Sequence, residues 1–514
     1  MTADIQLDTL EAKGLIRLAA LRPELEYLFR HVLVQDAAYG SLLKQERRDL
    51  HGRVGQALEA LYPERRAELA PVLAMHFEQS GQTDKAIDYY IAAGHEGALR
   101  NAIHESYGAY ERGAMLLQEQ QAGQVVDPAV EDRNRRRRVE IELGRAQVGY
   151  SFRAPEEAVE SLEAIAPEAE ALGDLDLIAR INMLIALGRI QDGARSDDPK
   201  VKRALDRMTE IGESIDDPSL RAEALAIIGL SNVFAGSTRL GVETLEEAVP
   251  LLERHDSIGA AFARGALGIG YATLGEFDKA EAAVKNAREI AAHGDLIAQL
   301  DALIAESMLR SMRGQLDQAV PIAKECVDRA TETGASACVV ASAWVLGDAY
   351  HRQGRFAEAK EILKHGSDIS LVVDRKVWRP TLQAWLGSTI AAMGDIPESQ
   401  WDEALATARS IDNKLGEAGI LWKRAETIAA RGEFDPALAD LAASAALLEG
   451  EGARPNLARV LRVWGETLRA AGRPAEAEPV LQRSLRLFEE LGLEPEANAV
   501  RATIALGGTT IAFD

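Results

Sequence analysis

Aromatic residues make up only 5% of this 514-residue chain, and no tryptophan occurs before position 344. That scarcity, beside abundant Ala, Leu, Glu and Arg, leans towards helix. Only two cysteines are present, Cys326 and Cys338, and they stand too far apart for a CxxC pair. A disulfide framework is thereby excluded, and two reduced core thiols in a cytoplasmic protein are expected. The opening MTADIQLDTLEAKG has no basic stretch leading into an apolar run, so it does not read as a secretory signal. No window offers the roughly 18 uninterrupted apolar residues of a membrane span. Positive charge is also short: 58 Lys and Arg face 81 Asp and Glu, a net charge of −23. Such a surface repels a phosphate backbone, which argues against general nucleic-acid binding.

Catalytic signatures are missing as well. There is no G-x-x-x-x-G-K-[ST] loop to cradle nucleotide phosphates, no H-E-x-x-H and no G-x-S-x-G. The nine histidines are scattered without metal-ligand spacing. The expectation is a non-enzyme with no cofactor and no metal.

What the chain does have is a repeat. LGEFDKAEAAV (274–284), RGQLDQAVPIA (313–323), QGRFAEAKEIL (353–363), RGEFDPALADL (431–441) and AGRPAEAEPVL (471–481) are variants of one phrase, and MGDIPESQWDEAL (393–405) is a looser copy. Their glycines, at 275, 314, 354, 394, 432 and 472, are separated by 39, 40, 40, 38 and 40 residues. Glycine suits a left-handed turn that ends one helix. Two residues later comes Phe277, Leu316, Phe356, Ile396, Phe434 or Pro474, in most copies an apolar plug. Three further on, Ala280, Ala319, Ala359, Ala437 or Ala477 allows close helix packing. Degenerate copies surround Gly236, Gly193 and Gly149, and an earlier pair surrounds Gly81. About ten helix–turn–helix units are expected between residues 66 and 500. Such pairs cannot bury their apolar faces alone; they stack.

The phrase L-G-x-x-Y-x-x-x-G-x-F-x-x-A, seen at Leu346-Gly347, Tyr350, Gly354, Phe356 and Ala359, resembles the tetratricopeptide repeat, although the period of 38–40 exceeds that family's usual 34. The longer helices look like the sensor arrays of large bacterial signalling ATPases. The fold implied is all-α: a right-handed superhelical solenoid of antiparallel helix pairs with a concave groove. The first sixty residues differ. Apolar runs at 15–18 and 27–29 flank Arg22-Pro23-Glu24, a pattern for a short β-hairpin, and a helical stretch follows. Lys13-Gly14-Leu15-Ile16, Tyr27-x-Phe29-Arg30-His31, Asp36-Ala37-Ala38-Tyr39 and Arg47-x-x-Leu50-His51 resemble the end of the winged-helix domain in signal-transducing ATPases, especially those joined to class III adenylate or guanylate cyclases. That resemblance puts His31 forward as a nucleotide sensor. The expected organisation is a winged-helix remnant (1–62), first helical pairs (63–121), a linker (122–134), the superhelix (135–500) and a tail (501–514).

Two local features stand out. Arg133-Asn134-Arg135-Arg136-Arg137-Arg138 spreads around a helix axis and is flanked by Glu131, Asp132, Glu140 and Glu142, so it reads as a solvated helix start. All six tryptophans fall between 344 and 464. In tetratricopeptide folds the first helix of each pair lines the groove. Offsets from the turn glycine then place Trp344, Asp348, His351 and Arg352 there from one repeat, and Trp422 and Glu426 from another. From the last repeat they place Arg459, Arg462, Glu466 and Arg469. Trp385 and Trp464 fall off those offsets and are expected in the core. Aromatic platforms mixed with charge suit a protein segment or a small polar effector, and the Arg-rich last repeat leaves room for an acidic one.

The function these readings imply is a ligand-sensing, protein-binding scaffold serving as the regulatory module of a signalling ATPase or cyclase. Two alternatives stand beside it: part of an ATP-dependent cyclase or ATPase with its catalytic domains upstream of Met1, or the regulatory module of a transcription factor. The partner expected in the groove is a protein segment or effector, with an ATPase or cyclase domain attached or separate, and with no nucleic acid and no membrane.

Overall fold

Each repeat glycine does in three dimensions what its chemistry suggests. In a computed structural model, which describes residues 3–20, 26–122, 128–255, 257–294, 296–374, 376–395 and 401–505, Gly81, Gly193, Gly236, Gly275, Gly314, Gly354, Gly394, Gly432 and Gly472 all have positive φ. The residue two beyond the glycine opens the next helix at Phe277, Leu316, Phe356, Phe434 and Pro474. The small residues that follow, Ala280, Ala319, Ala359, Ala437 and Ala477, are wholly buried. Ile396 lies outside the described residues.

The described residues contain 25 α-helices and one two-stranded sheet. The head comprises α1 (Ala3–Ala12), β1 (Ile16–Ala20), β2 (Glu26–Phe29), α2 (Val32–Gly40) and α3 (Lys44–Leu61). Next come α4 (Ala70–Ser80), α5 (Thr83–Leu99), α6 (Ile103–Gln121), α7 (Pro128–Gly149) and α8 (Pro155–Leu172). The regular array begins with α9 (Leu175–Gln191), α10 (Pro199–Ser214), α11 (Pro218–Ala235), α12 (Thr238–His255), α13 (Ser257–Leu274), α14 (Phe277–Ala291), α15 (Leu296–Met312) and α16 (Leu316–Thr333). It continues through α17 (Ser336–Arg352), α18 (Phe356–Val372), α19 (Arg379–Ala392), α20 (Trp401–Ser410), α21 (Lys414–Ala429), α22 (Phe434–Gly450), α23 (Arg454–Ala470), α24 (Pro474–Glu490) and α25 (Glu494–Ala505). Ten antiparallel pairs result, α4/α5 and then α7/α8 to α23/α24, with α6 unpaired and α25 closing the end. The expected all-α helical-pair solenoid is the fold found.

Two compact units can be separated. One holds residues up to 96 together with 108–122; the other holds 97–107 and everything from 128. In the first, the hairpin pairs Ile16 with Phe29 and Leu18 with Tyr27 in antiparallel register. Its turn, Arg22-Pro23-Glu24, lies outside the described residues. Phe77 is fully buried and stacks on Tyr89 at 5.5 Å. His31 occupies the N-cap position of α2, exposed and without a side-chain capping bond.

Four sequence expectations need correction. The linker expected over 122–134 is helical from Pro128, because a proline at the first helical position has its φ preset and lacks only an N–H that would have no helical partner. The tail expected from 501 is helical to Ala505; residues 506–514 lie outside the described set. Gly149 ends α7 without a positive φ, so that copy lacks the glycine turn. The arginine run also differs from a purely solvated start. Arg136 and Arg138 reach Asp174 and Glu168 on neighbouring helices, and Arg137 is buried.

The second unit closes on itself. The turn glycines of four successive pairs lean on segments far ahead in the chain: Gly193 on Ile411, Gly236 on Lys414 and Leu415, Gly275 on Pro455 and Leu491, and Gly314 on Glu496. Arg195 donates to Asp412, and Lys376 pairs with Asp192 at 2.6 Å. Helix α11 thereby meets α21, and α13 meets α23. The concave face is covered by the array's own later repeats.

Candidate functional site

Closure encloses space. Three small cavities of about 40, 90 and 130 Å³ run along the interior, each sharing lining residues with the next. Met308, Met312, Trp344, Trp385, Trp422 and Asn456 line both the first and second. Phe234, Ile269 and Trp378 line both the second and third. The walls come from inner helices of both halves, α11, α13 and α15 on one side and α17, α19, α21 and α23 on the other.

An unbroken file of rings borders the middle cavity. Phe234 meets Trp378 at 5.2 Å between centroids, Trp378 meets Trp344 at 5.7 Å, Trp344 meets Trp385 at 5.7 Å, and Trp385 meets Trp422 at 6.2 Å. Most are tilted or edge-to-face, as ring quadrupoles prefer. Two indole N–H groups are spoken for: Trp385 Nε1 donates to Asp348 Oδ1 at 2.8 Å, and Trp422 Nε1 donates to Glu426 Oε1 at 2.7 Å. Trp344 Nε1 is buried with no partner. A buried donor in that state costs about 1–3 kcal/mol relative to a satisfied one.

The first cavity ends in charge. Trp344, Asp348 and Arg352 lie at intervals of four along α17, one stripe of a helix face. Arg352 Nη1 donates to the Ser311 carbonyl at 2.9 Å and lies 3.4 Å from Asp348 Oδ2. Across the seam, Arg459 Nη2 donates to the Met312 carbonyl at 2.7 Å and to Glu496 Oε1 at 3.2 Å. Glu496 Oε1 also lies 3.5 Å from Arg352 Nη2. Arg459 is only 5% exposed, and its Nε has no partner. Burial, aided by the Arg352 charge, pushes its guanidinium down to about 9. Burial alone would raise Asp348; the Arg352 and Lys423 cations outweigh it and hold the carboxyl below its usual range.

Within this unit, residues 341–370 and 416–490 match the tetratricopeptide-repeat family model. Those segments are tetratricopeptide repeats. They contribute Trp344, Asp348, Arg352, Trp422 and Arg459 to the cavity walls. A Rap protein complexed with Competence and Sporulation Factor has a similar fold, with a TM-score of 0.52, 14% identity, and coverage of 69% of this chain and 98% of that one. The signal-transduction ATPase with a tetratricopeptide-repeat sensor from Pyrococcus horikoshii gives 0.41 at 17% identity, over 80% of this chain and 58% of its own. A curated protein of Rhizobium meliloti, itself uncharacterised, is 32% identical over 103 residues, 19% of this chain. The match spans about 10% of that relative's length.

The tetratricopeptide repeats bring only half of the ten expected groove residues to the cavity. His351 sits beside it, its Nδ1 3.0 Å from Thr389 Oγ1, and burial pushes its imidazole down to about 4. Glu426 is taken by Trp422 and by the buried Lys423, whose Nζ lies 2.9 Å away and 4.5 Å from the Trp422 ring centroid. Burial would raise Glu426 too, but Lys423 and His351 overcome it and lower the carboxyl. Arg462 pairs with Glu466 at 3.6 Å, and burial raises that carboxyl. Arg469 donates to the Thr503 carbonyl of α25. His351 and Glu426 tie neighbouring inner helices through Thr389 and Ser388, whereas Arg462 and Glu466 pair within α23 and Arg469 reaches α25. Trp385, expected in the core, is buried there and borders the cavity as well, and Trp464 packs against the local core as expected. Trp378, Phe234, Met308, Met312, Lys423 and Glu496 were not anticipated. Trp378 precedes α19, where no helix offset applies, and Phe234 faces it only because the array closes.

Proposed function

We propose that this chain is a non-catalytic sensor and interaction scaffold whose inner cavity takes a protein segment or small effector. The observation that carries the reading is the tryptophan-lined interior built jointly by early and late repeats. An occupant there touches both halves at once, so it biases the seam between closed and open arrangements by the difference in its affinity for the two. The Rap protein of similar fold is complexed with Competence and Sporulation Factor, which supports a binding role. The output is relayed through an attached or separate signalling ATPase, cyclase or transcriptional domain; the resemblance of the segments from Lys13 to His51 supports this. Selection from a displayed peptide library, followed by calorimetric titration, tests the binding role. Affinity should fall at least tenfold in Trp344→Ala/Trp422→Ala. Binders whose affinity is unchanged in that variant would remove the cavity from the reading. A Walker-type loop in frame with Met1 in the upstream DNA would support the ATPase context.

A further inference from the structure

Among binding partners of a helical array, a peptide is the obvious choice, yet the interior is poorly furnished for one. A peptide brings an N–H and a C=O at nearly every residue, and each needs a partner once buried. The middle cavity offers few polar side chains. Asn413 already accepts from Gly416 N at 2.8 Å, and the indole groups of Trp385 and Trp422 are committed to Asp348 and Glu426. What remains without a partner is concentrated at one end: Trp344 Nε1 and Arg459 Nε, in two residues that line the same cavity. From there the space runs on between apolar walls, past Met308 and Ile269 to Ala266 and Ile304.

We propose that the occupant is a small carboxylate amphiphile, its head accepting from Trp344 and Arg459 and its apolar body lying along the tryptophan file. This deepens the sensor reading and rests on it. Arg352 and Arg459 are balanced by Asp348 and Glu496, so the head is recognised by unpaired donors and not by a bare excess of positive charge. A carboxylate supplies acceptor lone pairs for both donors, and a charged acceptor makes the stronger hydrogen bond. The apolar body removes hydrocarbon surface from water without leaving any polar group unpaired.

The test uses the full chain, with sodium decanoate, decan-1-ol and decyltrimethylammonium as probes, followed by tryptophan fluorescence and calorimetry. Decanoate should saturate at one equivalent, bind at least tenfold more tightly than decanol, and leave the ammonium compound without effect. Trp344→Phe keeps an aromatic face and loses the donor; it should weaken decanoate about tenfold and decanol much less. Ile269→Phe, placed between the second and third cavities, should weaken both, with circular dichroism confirming the helical fold. Absence of saturable decanoate binding, equal binding of decanol, or a Trp344→Phe variant that binds decanoate normally overturns the proposal. Library peptides that bind and are lost in Trp344→Ala/Trp422→Ala, with decanoate inert, sink the amphiphile and leave the sensor reading standing. Failure of both removes both.

Discussion

A single methyl group can separate the strain of a turn from the energy of the seam. Gly314 and Gly354 occupy the same place in consecutive repeats, with φ of 74° and 73°. Alanine at either position adopts the left-handed region at a cost of about 1–2 kcal/mol. At Gly354 the new Cβ meets nothing within 4 Å. At Gly314 it would stand 2.8 Å from Glu496 Oε1 and 3.1 Å from Oε2, so the carboxylate must move. Swinging a glutamate tip aside is sterically cheap. It is electrostatically expensive, because Glu496 Oε1 is the acceptor shared by Arg459 and Arg352. Removing one partner of a fully buried ion pair costs about 3–5 kcal/mol. Here Asp348 and the Ser311 and Met312 carbonyls remain to the two arginines, and Glu496 is 18% exposed, which reduces the loss to about 2 kcal/mol. Gly314→Ala should therefore be destabilised by about 2 kcal/mol more than Gly354→Ala, roughly a thirtyfold difference in the opening equilibrium. Stacked repeats need not unfold as one unit, so the measurement must be local. Native-state hydrogen exchange over α23 and α25 reports the seam, and urea titration by tryptophan fluorescence reports the late repeats, where all six tryptophans lie. Equal losses in the two variants, in both measurements, would refute the claim that the ion cluster at the cavity's end holds the seam.

Two further outcomes are expected. His351 is held neutral, with a pKa of about 4 against an ordinary 6.5, so between those values the unfolded chain binds the extra proton; stability is complete above 6.5 and drains away as pH falls. The loss from pH 7 to pH 5 is roughly 2 kcal/mol, and His351→Asn should flatten that part of the urea-midpoint profile; an unchanged slope in the variant would assign it elsewhere. In the arginine run, Arg136→Ala removes a half-exposed pair with Asp174 and should cost no more than about 1 kcal/mol. Arg137→Ala, which empties a buried site, should cost about 2 kcal/mol or more by the same thermal or urea melt; the opposite ranking would contradict the burial described.

The repeat was legible because its determinants are local. A glycine, a plug two residues on and an alanine three beyond recur at a fixed period, and each does its work within one turn. The offsets that placed Trp344, Asp348, Arg352, Trp422 and Arg459 on inner faces rest on the same periodicity. Helix phase alone cannot tell an inner residue facing a cavity from one packed on the neighbouring inner helix. For that reason His351, Glu426, Arg462, Glu466 and Arg469 were grouped with the others. Trp385 is buried as its phase suggests, but its place on the cavity wall was not legible, because α19 starts late, after the segment carrying Trp378, and helix phase counted back from Gly394 does not describe that start. Glu496 and Phe234 were invisible for a different reason. Glu496 meets Arg352, and Phe234 meets Trp378, across more than a hundred residues of sequence, through a closure that no repeat encodes by itself.

That closure bears on how such an array can change over time. An open stack can gain or lose a unit at either end, since each unit knows only its neighbours. Here the turns at 193, 236, 275 and 314 must meet the segments at 411, 414, 491 and 496 in step. Deleting one internal unit of about 40 residues would slide every later segment past its turn by a whole position, setting side chains where only hydrogen atoms fit. The number of repeats is thus a dimension of the protein, as fixed as the circumference of a ring, and insertions should be tolerated in loops facing solvent but not as additional units.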